Sequence, residues 1–156
     1  MKVYVDEDKI KGKIDIPVKK IYDTFYDILG KENPKNTFHV TYNEKRKESG
    51  WFTYTVGQDL TKKVTINMAK IRTYRDMIFS ILHEWAHVQQ YDRLGGYVLS
   101  VLTTEKKSYN TIEQEADRYA FDKEKKLHYK SFVVNPKVSY SIFVERKIVF
   151  SDALSK

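Results

Sequence analysis

Cysteine is absent from the chain, which removes disulfide frameworks, thiolate metal sites and thiol nucleophiles together. Proline and glycine are scarce, three and six among 156 residues, so the composition is not that of a low-complexity or disordered chain. Long apolar runs are lacking too. The longest, Met77 to Leu82 and Tyr97 to Leu102, are each broken by a serine and fall far short of the roughly 20 residues that span a bilayer. The first dozen residues mix charges and hold no uninterrupted apolar stretch, which predicts no secretory signal, a cytoplasmic location and no membrane partner. Any chemistry falls to histidines, carboxylates or hydroxyls.

What is present points to a folded core: 41% of the residues are hydrophobic and 14% aromatic, in a length that suits one domain. No repeat and no long linker divides the chain, so residues 1–156 are expected to form one unit, with a core over about 37–128 and a tail over about 129–156. Net charge is +7, and the stretch from Lys123 onward carries +5 of it, from eight basic and three acidic residues. Such a tail is either a solvated face or a surface for nucleic acid or an acidic protein.

Pro17 leads into Val18, Ile21, Tyr22, Phe25, Ile28 and Leu29, a helical stripe that stops at Gly30. Three alternating stretches follow: Phe38, Val40 and Tyr42; Phe52, Tyr54 and Val56; Val64, Ile66 and Met68. They predict a mainly antiparallel sheet of three to four strands. Thr73 and Asp76 have capping-box spacing ahead of a helix carrying Met77, Ile78, Ile81, Leu82 and Trp85, which ends at Gly95 and Gly96. Tyr97 to Leu102 suits helix or strand, and a third helix is expected from about Thr111 to Leu127. After Tyr129 the residues favour strands, with Pro136 interrupting them.

Within the second helix His83, Glu84, Trp85, Ala86 and His87 spell H-E-x-x-H. Histidines four apart lie one turn above each other, so both imidazoles can bind one zinc ion while Glu84 projects toward a bound water. A catalytic zinc takes three protein ligands and keeps a fourth position for water, so a third ligand is required. The metzincin pattern is rejected, because Gln90 and Arg93 stand where it needs Gly and His. On the third helix Glu113, Ala116, Asp117 and Ala120 share a face, whose small residues would let Glu113 reach the metal and Asp117 support a ligating histidine. The alternatives are Glu113 as capping partner of Asn110, Asp117 paired with Arg118 or Lys123, and Glu115 or His128 as the third ligand. His39 and His128 read as exposed.

His83-Glu84-x-x-His87 followed 26 residues later by Glu113-x-x-x-Asp117 resembles the gluzincin metallopeptidases, and is most similar to minigluzincins and small ImmA/IrrE-type peptidases. The likeness covers about residues 50–125 and is specific at these five positions. It implies a small α+β zincin-like domain with a sheet packed on the active-site and glutamate helices, an N-terminal helix and a strand-prone C-terminal tail. It further implies one zinc per chain held by His83, His87 and Glu113, Glu84 as general base, and Asp117 supporting His83. An edge strand, here Phe52 to Val56, would bind an extended peptide, and a terminal segment of the chain can hold such a site latent. Neither the residues nor the likeness selects a stabiliser for the reaction's oxyanion among His128, Tyr129, Tyr91 and Arg118. The expected function is a zinc endopeptidase acting on a peptide or protein. The alternative is a zinc-stabilised, non-enzymatic module whose basic tail binds nucleic acid or an acidic protein.

Overall fold

The computed structural model describes residues 1–32, 35–56 and 62–142. They form an α+β arrangement of four strands and five α-helices in the order β1 (Lys2–Val5), α1 (Glu7–Ile10), α2 (Val18–Leu29), β2 (Thr37–Thr41), β3 (Gly50–Tyr54), β4 (Lys62–Asn67), α3 (Tyr74–Leu94), α4 (Gly96–Leu102) and α5 (Lys106–Glu124). None of these helices is long and apolar enough to cross a membrane.

The sheet runs β1-β2-β4-β3 and is mixed, which corrects the expectation of a mainly antiparallel one. β1 and β2 pair in parallel, with Val3 beside Phe38, and so do β2 and β4, with Val40 beside Ile66. Only β3 and β4 are antiparallel, with Phe52 beside Val64. The physical reason lies in the connections. Parallel neighbours need a long crossover, and the segment between β1 and β2 supplies one through α2. Alternation along a strand reports which face is buried but not which strand lies alongside, so β4 can insert between β2 and β3 without leaving a trace in the pattern.

The core lies between sheet and helices. α2 turns Ile21, Phe25 and Leu29 inward, all fully buried, and Phe25 meets Phe38 of β2 at 5.4 Å between ring centroids. α3 starts at a capping box in which the Thr73 hydroxyl accepts from the Asp76 amide and the Asp76 carboxylate accepts from the Thr73 amide, each at 3.1 Å. It ends at Gly95, whose φ of +85° is a conformation that side-chain-bearing residues rarely adopt. α5 starts five residues before the expected Thr111. Its cap is Glu105, which accepts from the amides of Lys107 and Ser108, rather than Asn110 or Thr111.

The C-terminal segment departs most from expectation. Over residues 129–142 there is no strand, only one isolated bridge between Thr73 and Val133. The backbone amides of Val134 and Asn135 both donate to the Arg72 carbonyl, and the Val134 carbonyl accepts from Asp15, so this backbone is spent on staples across the molecule and Pro136 ends it. Val144, Ile148 and Phe150 lie outside the described residues.

One amide organises the approach to the sheet edge. Asn67, fully buried at the end of β4, accepts from the amides of Asn43 and Ala69 and donates to the carbonyls of Asn43 and Glu48. These four bonds use its full capacity and hold the loop before β3. Asn67→Ala leaves those buried groups without partners and is expected to cost about 2–4 kcal/mol. Urea unfolding measures it, and an unchanged midpoint would refute this role.

Candidate metal centre

α3 is the most buried element of the chain, enclosed by β3 and β4, by α5 and by α2. The close seat of α5 follows from Ala116 and Ala120, both fully buried. His83, Glu84 and His87 therefore stand in a dry environment, with 5, 5 and 9% exposure, and together form a cluster that can hold a metal ion.

α5 brings Glu113 to this pair. One carboxylate oxygen lies 3.0 Å from Nε2 of His83, the other 3.1 Å from Nε2 of His87, and the two Nε2 atoms are 3.1 Å apart. The far nitrogens are engaged. Nδ1 of His83 faces Asp117 at 2.8 Å, and Nδ1 of His87 faces the Gln90 side-chain oxygen at 2.7 Å. Both partners can accept, so a ring with its proton on Nδ1 turns its Nε2 lone pair inward, the form that metal ligation requires. Two lone pairs and a carboxylate aimed at one point about 3 Å from each other repel unless a cation lies between them, and the donor set thus suits a metal. With no cation between them the rings can instead present N–H groups: burial opposes the charge on Glu113, but hydrogen bonds and charge from His83 and His87 outweigh it and hold the carboxyl well below the ordinary carboxylate range.

Glu84 is beside this triangle and not part of it, its nearest oxygen 3.9 Å from Nε2 of His83. It stands on the floor of a cleft of about 640 Å³. β3, an edge strand of the sheet among the described residues, borders the cleft through Gly50, Phe52 and Tyr54. Gly50 has a steric role: a Cβ there would lie 3.1 Å from Cγ of Glu84 and 3.2 Å from the Thr65 carbonyl, so glycine keeps space for the carboxylate.

Glu115, an alternative ligand in the sequence, is turned outward to Arg93 at 2.8 Å and accepts from Gln90 at 3.2 Å. His128 is exposed, and His39 pairs with Asp6 at 2.8 Å, remote from the cluster. The cleft is not lined by His128, Tyr129, Tyr91 or Arg118. Tyr129 is committed to Glu124 and the Tyr74 ring, and Tyr91 donates to the Thr55 carbonyl. The tyrosines that do line it are Tyr54, Tyr109 and Tyr140, none of which the sequence reading considered as an oxyanion stabiliser.

No family model, curated protein or solved structure matches the chain. The site therefore rests on its own geometry. Sequence reasoning also missed Gln90, although its spacing from His87 puts both on one helix face. Its amide nitrogen donates to the Ile112 carbonyl at 3.0 Å, so α5 fixes the residue that orients His87. Gln90→Leu is expected to weaken binding of a divalent transition metal about 10- to 100-fold without unfolding the protein. Competition against a chromophoric chelator measures this, with circular dichroism as the control; unchanged affinity would remove Gln90 from the site.

Proposed function

We propose that the protein is a zinc-dependent endopeptidase, with His83, His87 and Glu113 as ligands to one zinc ion per chain. The observation that carries this reading is the 3.0–3.1 Å triangle of two imidazole nitrogens and a carboxylate, with Glu84 alongside in an open cleft. Tetrahedral zinc with bonds of about 2.0–2.1 Å spaces its ligand atoms about 3.3 Å apart, close to these separations. Two nitrogen ligands and one carboxylate are a donor set suited to zinc, and three protein ligands are the complement of a catalytic site.

Zinc, when bound, supplies Lewis acidity that polarises a peptide carbonyl and makes water acidic near neutral pH. The chain does the rest. Glu84 takes the proton from the attacking water and returns it to the leaving amine. Asp117 and Gln90 keep the ligating rings in the required tautomer, and β3 offers unpaired backbone groups to an extended substrate. The buried base argues against a purely structural site, which needs no such group beside an open position. It thereby favours an enzyme over a zinc-stabilised binding module.

Glu84→Gln is expected to keep one zinc per chain and lose about 10²- to 10⁴-fold in cleavage of an unstructured protein, whereas Glu113→Ala loses zinc. Elemental analysis beside a casein assay tests both; full activity in Glu84→Gln would overturn the mechanism.

The reading extends to latency, since Tyr140 and Ile142 of the C-terminal segment border the cleft beside Phe79 and Glu84. Removal of everything after Tyr129 would take away fully buried Val134 and Asn135, so the informative change is Tyr140→Ala, which keeps both and trims the cleft border. It is expected to raise casein cleavage several-fold, and an unchanged rate would count against latency.

A further inference from the structure

The cleft is chemically different at its two ends. At one, Lys47 and Lys70 line it next to Ser49 and Ser80, whose hydroxyls meet at 2.9 Å. Lys47 belongs to the loop that Asn67 holds, and Lys70 ends the short turn after β4, so both cations stand on a fixed frame. Among the described residues neither takes part in an ion pair, while Glu48 in the same wall is occupied by Arg46 at 3.2 Å.

At the other end, past His87, the walls are Phe52, Tyr54, Leu99 and Ile112. Leu99 and Ile112 are almost fully buried, and Phe52 and Tyr54 pack on the Tyr91 ring at 5.9 and 5.1 Å between centroids. The Tyr54 hydroxyl is tied to Ser100 at 2.9 Å, which makes this a firm apolar wall and not a collapsible one. Ser80 and His87 are seven residues apart on α3, roughly 10 Å at 1.5 Å per residue, or about three residues of extended chain.

We propose that the cleft selects an extended peptide carrying an acidic side chain on one side of the scissile bond and a bulky apolar side chain on the other, about three to four residues away. The proposal rests on the peptidase reading and adds its substrate class. The lysines recognise the carboxylate, and the Phe52, Tyr54, Leu99 and Ile112 wall takes up the apolar group. Charge attraction at a half-open site selects mainly against the wrong sign, because a lysine there would face two cations.

Binding of fluorescent decapeptides to zinc-loaded Glu84→Gln protein tests this independently of turnover. The peptides place Phe and either Glu, Ala or Lys three residues apart, in both orders. The Glu peptide is expected to bind about 10-fold more tightly than the Lys peptide in at least one order, and the ratio should shrink in 0.5 M salt. Adding Lys47→Glu and Lys70→Glu, both outside the core, should cancel or invert the preference, and Leu99→Ala should weaken selection of Phe over Ala at the apolar position. Equal binding of Glu and Lys peptides, or a preference that survives the double reversal, would overturn the proposal. Casein cleavage by the wild type separates the two ideas: hydrolysis without charge preference defeats the selectivity alone, and charge-selective binding without hydrolysis upholds it while defeating the peptidase assignment.

Discussion

The packing of α5 against α3 is the constraint on which the site depends. An imidazole pair on one helix supplies only part of the proposed metal centre; the carboxylate that would complete it comes from a helix that begins 19 residues after His87. Ala116 and Ala120 permit the approach, and Gln90, bonded to His87 and to the Ile112 carbonyl, couples the depth of that approach to the aim of the ring. A shift of α5 along α3 would therefore spoil three things together: the position of Glu113, the Asp117 bond to His83 and the orientation of His87. Burial makes this coupling strict, since a polar group moved off its partner there would be left unsatisfied.

Much of this was legible because it obeys local rules. The four-residue spacing of His83 and His87 puts both on one helical face whatever the rest of the fold, and the Thr73–Asp76 cap depends only on neighbours along the chain. Glu113 and Asp117 were legible for the same reason. Relations between distant segments were not. The parallel pairing of β1 with β2 is decided by the crossover through α2, the start of α5 by a cap at Glu105 that resembles no standard one, and the course of the segment after Tyr129 by staples from Val134 and Asn135 to Arg72 and Asp15. Gly50 illustrates the limit: the atoms that crowd a Cβ there belong to Thr65, Ile66 and the Glu84 side chain, the last 34 positions later in the chain.

Electrostatically the site is a small anionic centre in a basic surrounding. Glu113 is held ionised by the imidazoles that face it, and the lysines at one mouth of the cleft add an outer cationic field. The chain's net charge of +7 is thus not only a property of its terminal stretch. Part of it borders the place where a ligand would enter.

The staples made by Val134 and Asn135 carry a consequence for biogenesis. They join the backbone near Asp15 to that just before α3, and Asn135 inserts its amide under Met68 and Tyr42. During synthesis, the sheet, α3 and α5 leave the ribosome before the residues that make these staples. Contacts this far apart in sequence form late. A nascent chain accordingly cannot close these staples until the residues around Val134 and Asn135 have been made.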